Sequence, residues 1–145
     1  MLKVLITEDN IILADILEGY LIEQGYDVCG LASTVDEAVI LADTHRPELG
    51  VFDYRLRDGY SSQIRPRIKD KNGIGILFAS GDSLKSKLTQ ADGEAYIQKP
   101  YGMSDLAQAL RIVHELKMTG DVSSYLFPSN FRLLEGPLAA HRLSA

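Results

Sequence analysis

The chain has no tryptophan, a single cysteine and no long apolar run, and each shortage removes a class of protein. Cys29 alone cannot close an internal disulfide, which excludes the cross-linked secreted frameworks. Lying inside an apolar run, it reads as a small buried hydrophobe in a reducing compartment. No apolar stretch approaches the roughly 20 residues that a membrane span requires. The opening MLKVLITEDN has no basic segment leading into a long apolar one, so no signal peptide is read and a cytoplasmic location is expected. A basic excess is missing as well. Against 15 Lys and Arg stand 20 Asp and Glu, a formal charge of −5 that argues against non-specific binding to nucleic acid. His45, His114 and His141 are scattered without partner spacing and read as surface residues, which makes zinc a poor candidate. The glycines form no phosphate cradle, so a flavin or dinucleotide site is not expected.

What remains is a chain of 145 residues, 46% hydrophobic, suited to one domain burying roughly 68–70% of its unfolded surface. Short apolar runs alternate with amphipathic stretches, the pattern of βαβ units on a parallel sheet. Leu2 to Ile6 is the first strand. Asn10 caps a helix through Gln24, with Leu13, Ile16, Leu17, Tyr20 and Leu21 at helical spacing and Gly25 ending it. Val28 to Ala32 is the second strand. Ser33 or Thr34 caps the next helix, with Glu37 placed for a capping box and Pro47 closing the segment. Leu49 to Phe52 leads to Asp53, and Asp58-Gly59 turn into a helix expected over about 60–70. Asn72-Gly73 precedes the fourth strand, Ile76 to Ala79. Leu84 to Ala91 forms the weakest expected helix, carrying only Leu84, Leu88 and Ala91. Ala95 to Gln98 is the fifth strand, and Ser104 caps a helix with Leu106, Ala109, Leu110 and Val113 on one face. Five strands and five helices imply an α/β, flavodoxin-like (βα)5 doubly wound fold of strand order 2-1-3-4-5.

In that fold every strand's carboxyl end opens on one edge, where ligands bind. Glu8 and Asp9 follow strand one, Asp53 ends strand three, Ser80 ends strand four and Lys99 follows strand five. Three converging carboxylates repel one another by about 1–4 kcal/mol per close pair and need a cation. Oxygen-only donors favour a hard ion such as Mg²⁺. A carboxylate nucleophile beside such an ion can accept a phosphoryl group, with a hydroxyl and an amine holding the remaining oxygens.

With those residues in that order, residues 1–117 resemble the receiver domain of two-component response regulators. The resemblance implies that Asp53 is the phosphoacceptor and Asp9 a direct Mg²⁺ ligand, while Glu8 acts mainly through a metal-bound water. It implies that the main-chain carbonyl of Arg55 completes the metal shell, that Ser80 hydrogen-bonds a phosphoryl oxygen, and that Lys99 pairs with it. Tyr96 matches the aromatic position that changes rotamer on activation, and the Lys99-Pro100 bond is commonly cis in the family. Arg57 stands where Pro is frequent, and the loop after Asp53 is shorter than usual. The run Phe78-Ala79-Ser80-Gly81-Asp82 is similar to a subgroup with an FATG-like sequence, in which the fourth helix is often short.

The resemblance further implies a stand-alone switch, phosphorylated by a histidine kinase or phosphotransfer protein and acting on a downstream protein target. No DNA-binding helical region follows Lys117, so output is expected through protein contacts. The other readings are a Mg²⁺-dependent phosphohydrolase with Asp53 as turnover nucleophile, and a receiver-like interaction module that is never phosphorylated. Singly, Glu8 and Asp9 also suit an acidic helix start, and a strand-end tyrosine such as Tyr96 also suits a core. Arg55 and Asp82 are expected to pair across the mouth of the site. Residues 118–145 form a tail, interrupted at Gly120, Pro128, Gly136 and Pro137, with two apolar patches at Tyr125-Leu126-Phe127 and Phe131 to Leu134. Ile112 and Leu116 extend the last helix's apolar stripe. The tail is therefore expected on that flank, in its own subunit or across a homodimer.

Overall fold

The structure is a computed structural model and describes residues 1–136. The readings of Pro137 and His141 concern residues outside that range. Six strands form one sheet: β1 (Lys3–Thr7), β2 (Asp27–Ala32), β3 (Leu49–Asp53), β4 (Gly75–Ser80), β5 (Ala95–Gln98) and β6 (Phe131–Leu133). The order is β2-β1-β3-β4-β5-β6, the first five parallel and β6 antiparallel to β5. The doubly wound order is the one expected from the sequence, and β6 adds a strand beyond it.

Because side chains alternate across a strand, each strand feeds two cores. Val4, Ile6, Leu49, Val51, Leu77, Ala95 and Ile97 face α1 (Ile11–Glu23) and α4 (Met103–Thr119). Leu5, Phe52, Ile76, Phe78 and Tyr96 face α2 (Val35–His45) and the segments on its side. Asn10 caps α1, its side chain accepting from the N–H groups of Ile12 and Leu13 at 3.1 and 3.2 Å. Gly25, at φ +94°, turns the chain out of α1. Thr34 is the cap of α2, accepting from the Glu37 N–H, while the Glu37 carboxylate takes the Ser33 and Thr34 hydroxyls. Cys29 falls at a register shift between β1 and β2 and is half-buried rather than fully enclosed; burial pushes its thiol pKa up.

Three helix expectations need correction. The stretch 60–70 yields only a 3₁₀ turn, Ser61–Gln63, and one turn of α-helix, α3 (Ile64–Arg67). Pro66 removes a donor there, and Ile64 and Ile68 are too few apolar residues to sustain more. Leu84 to Ala91 is not a helix. Leu84 and Leu88 are buried as the spacing suggested, but through turns in an irregular segment. Among the described residues the (βα)5 count of five helices thus falls to four, one of them a single turn. The cap of α4 is Gly102, without any side-chain bond, so Ser104 lies inside the first turn.

Beyond α4 the chain turns at Gly120, φ +77°, and runs back along the helix. Val122 is buried in the α1/α4 core, the Tyr125 hydroxyl donates to Glu115 Oε1 at 3.1 Å, and Gln108 Nε2 donates to the Leu126 carbonyl at 3.3 Å. Phe127 and Phe131 meet edge to face at 5.1 Å. β6 then pairs with β5 before Leu134 enters the opposite core.

Candidate functional site

The site forms at the carboxyl edge of the sheet, where β1 and β3 are neighbours whose crossovers leave in opposite directions. After β1, the Glu8 N–H donates to the Ala32 carbonyl at 2.9 Å, and the Asn10 N–H donates to Glu8 Oε2 at 3.1 Å. These bonds fix the turn that carries Glu8 and Asp9. Asp53 ends β3. Carboxylate oxygens of Glu8, Asp9 and Asp53 lie within 4.8 Å of one another. Lys99 Nζ sits 3.1 Å from Asp53 Oδ1 and 3.9 Å from Glu8 Oε1. Burial, reinforced by the charge of Asp53, pushes the Glu8 carboxyl up to about 7. A carboxyl group so disfavoured as an anion is one that a cation would restore. The donors are all oxygens, which fits Mg²⁺ and not a softer metal.

Ser80 closes the other side. It ends β4, its carbonyl accepts the Lys99 N–H at 2.8 Å, and its hydroxyl oxygen accepts the Asp82 N–H at 3.1 Å. Asp53, Tyr54, Arg55, Ser80, Gly81, Asp82 and Lys99 line a cleft of about 260 Å³ over the Asp53 carboxylate. Arg55 and Asp82 approach to 3.9 Å across its mouth, with side chains 71% and 65% exposed. The Lys99-Pro100 peptide is cis.

Arg55 begins a short hairpin in which it pairs with Tyr60 and Leu56 pairs with Gly59. The Ser61 N–H donates to the Tyr54 carbonyl at 2.8 Å. That bond makes Arg55 and Tyr60 a pair that exchanges no hydrogen bonds of its own, so the Arg55 carbonyl is left outside the ladder. Tyr96 is placed apart from this cluster. It is buried in the α2-side core, and its hydroxyl lies 3.0 Å from Ser83 Oγ.

Sequence reasoning missed two residues near the site. Burial, then the charges of Glu8 and Asp53, pushes the Tyr101 phenol up to about 12, so it lies within electrostatic reach of the carboxylates. Asn130 reaches the strand that carries Lys99: its side-chain nitrogen donates to the Gln98 carbonyl at 2.8 Å. A tyrosine after Lys-Pro was visible in the sequence as a neighbour of Lys99; a contact across 32 residues leaves no local pattern.

Residues 4–111 match the model of the response regulator receiver domain family. The transcriptional regulatory protein PdtaR of Mycobacterium tuberculosis is 34% identical over 113 residues, covering 76% of this chain and 55% of that protein. The KDP operon transcriptional regulatory protein KdpE of Escherichia coli is 29% identical over 115 residues, covering 77% and 51%. This chain thus spans about half the length of the curated relatives it matches. A CheY-like receiver domain protein from Methanospirillum hungatei superposes with a TM-score of 0.73 at 23% identity, covering 83% of this chain and 99% of that one. That likeness establishes the fold; with the matched span it leaves one conclusion, that the chain belongs to the response regulator receiver domain family of two-component signalling.

Proposed function

We propose that Asp53 accepts a phosphoryl group from the phosphohistidine of a histidine kinase or phosphotransfer protein, and that the resulting change of surface alters binding to a downstream protein. The observation that carries this reading is the placing of the Lys99 ammonium 3.1 Å from Asp53, with Glu8 and Asp9 gathered on the same carboxylate. An Asp53 oxygen forms the new bond to phosphorus as the phosphorus–nitrogen bond breaks. The electron pair leaves with the imidazole. Lys99 then has its partner enlarged from a carboxylate to a phosphoryl dianion and holds one of its oxygens. The Ser80 hydroxyl already accepts from Asp82, so its own proton is available to a second oxygen.

Glu8, Asp9 and Asp53, with the Arg55 carbonyl, are the groups that would hold Mg²⁺. When bound, the ion supplies positive charge opposite the transferring oxygens. Arg55 and Asp82 stand between the cleft and solvent, where they restrict the approach of water to an acyl phosphate. The net charge of −5 favours output through protein contacts rather than nucleic acid.

A Mg²⁺-dependent phosphohydrolase is disfavoured because the position two residues past Asp53, where that class often places a general acid, is Arg55. A receiver-like module that is never phosphorylated would have no use for the acceptor, amine and hydroxyl together. Intact-mass measurement after incubation with acetyl phosphate and Mg²⁺ separates these readings. One lasting phosphoryl addition supports the switch. Rapid consumption of acetyl phosphate without accumulation supports the hydrolase, and neither result supports the interaction module.

A further inference from the structure

The tail lies beyond the matched family span, yet it touches the strand that delivers Lys99. Lys99 is flanked by Gln98 and Pro100. The Gln98 N–H donates to the Asn130 carbonyl at 2.9 Å. In return, Asn130 Nδ2 donates to the Gln98 carbonyl at 2.8 Å and to the Pro100 carbonyl at 3.4 Å. One side chain thus bonds the carbonyls of the two residues that flank Lys99, while the Lys99 N–H is held from the opposite side by the Ser80 carbonyl. The two carbonyls fix the orientation of the Asn130 amide, nitrogen toward them, and its Oδ1 is buried without a hydrogen-bond partner. The side chain is therefore used as a donor alone.

Asn130 is itself held by the fold. Pro128 and Phe131 close a turn around it, the Phe131 N–H donating to the Pro128 carbonyl at 3.1 Å. Phe131 is buried in the α1/α4 core and Leu134 in the opposite one, so β6 is pinned on both faces of the sheet. Farther along, the Gln90 N–H donates to the Glu135 carbonyl at 2.9 Å. A residue in a docked, doubly anchored strand can set the position of its neighbour, which one in a loose terminus cannot.

We infer that Asn130 is a positioning residue for Lys99, making the tail a working part of the phosphoryl-acceptor site. This rests on the proposed role of Asp53 and Lys99. The coupling runs both ways: a tail that holds the Lys99 segment favours the phosphorylated state, and a phosphoryl group that draws Lys99 inward tightens the tail.

A double-mutant cycle on the initial rate of labelling by acetyl phosphate and Mg²⁺ tests it, using the whole chain. Asn130→Ala removes both side-chain donors and should slow labelling about three- to tenfold, the scale of one or two lost hydrogen bonds. In a Lys99→Ala background the same change should have no further effect, because its route to Asp53 is gone. Mg²⁺ affinity by calorimetry should be unchanged by Asn130→Ala, since no carboxylate is moved. Equal slowing in both backgrounds, or no slowing in either, overturns the assignment. Release of β6 in Asn130→Ala would uncover Phe131 and Leu134 and slow labelling in both backgrounds alike, which is the result that overturns the assignment. Wild-type protein labelled on Asp53 together with a null cycle sinks only the role of Asn130. Absence of labelling in the wild type sinks the phosphoacceptor reading itself.

Discussion

The two faces of the sheet are covered by different means. On one, α1 and α4 press regular apolar stripes onto the strands: Leu17 and Leu21 from α1, Leu106, Leu110 and Val113 from α4, with Val122 and Phe131 of the tail completing the layer. On the other, α2 is the one helix of length among the described residues, and the rest is the single turn of α3 and the irregular segment between β4 and β5. There, polar latches do what helical packing does opposite. Arg65 in α3 donates to Glu94 Oε1 at 2.7 Å and to the Ile74 carbonyl at 2.6 Å, and the same Glu94 oxygen accepts the Ile76 N–H at 2.7 Å. One ion pair ties α3 to the starts of β4 and β5. Asp58 accepts from the N–H groups of Val35 and Asp36, tying the loop beyond Asp53 to α2. Segments too short to form stable helices alone are held by a few directional bonds, and a segment with few buried apolar contacts opens at lower cost than a packed layer. Rearrangement on phosphorylation is thus expected on the latched face, the one that holds Tyr96 and Ser83.

The sharpest way to break the comparison is at Arg65. Its side chain is 9% exposed and that of Glu94 7%, so Arg65→Ala strands a buried carboxylate and should cost about 3–5 kcal/mol in urea unfolding. Arg65→Met with Glu94→Gln should recover part of that loss, because the neutral amide strands no charge and its oxygen still accepts the Ile76 N–H. If the double variant is as unstable as the single one, the pair is not a latch of this kind. On the packed face, Leu110→Ala should cost about 2–5 kcal/mol through the cavity it leaves. No partner substitution of charge can rescue it, and a loss below about 1 kcal/mol would mean that α4 is not a rigid layer.

Asp58 sharpens the contrast through pH. Its carboxyl is held below its ordinary value of 3.8, first by the Val35 N–H and then by that of Asp36. The bonds therefore add stability above that value, and the contribution fades as pH falls through the lowered one. Urea midpoints of the wild type and Asp58→Asn should differ at pH 7 and draw together as pH falls below 3.8. A constant gap would remove Asp58 from the latch set. The smallest effect on stability is expected at the mouth of the site. Arg55 and Asp82 are mostly exposed, so replacing both with Ala should change stability by only about 0–1 kcal/mol. The lifetime of the acyl phosphate should change nonetheless, and an unaltered decay rate would discharge the pair from shielding.

The difference between the faces also explains what the sequence revealed. Strands, the outer helices and the acidic residues at strand ends were legible because periodicity and strand-end position are local signals. Leu84 and Leu88 illustrate the boundary: their four-residue spacing marked them for burial, and turns achieved it without a helix. At 60–70 the pattern was thinner still, with Pro66 in its middle. Arg65 and Glu94 stand 29 residues apart, and nothing near either marks it as half of a buried pair. In the tail the apolar patches were evident, yet a three-residue strand is shorter than any alternation can announce. Glu8, Asp9, Asp53, Ser80 and Lys99 needed only the sheet order to be brought together. Asn130 needed the path of the tail.

Trapping the phosphorylated protein with borohydride, which reduces an aspartyl phosphate to homoserine, and mapping the peptides locates the acceptor directly. Homoserine should be found at position 53 and at no other carboxylate, and should vanish in Asp53→Asn. Homoserine at Glu8's neighbour Asp9, or undiminished trapping in Asp53→Asn, would contradict the assignment of Asp53 as the phosphoacceptor.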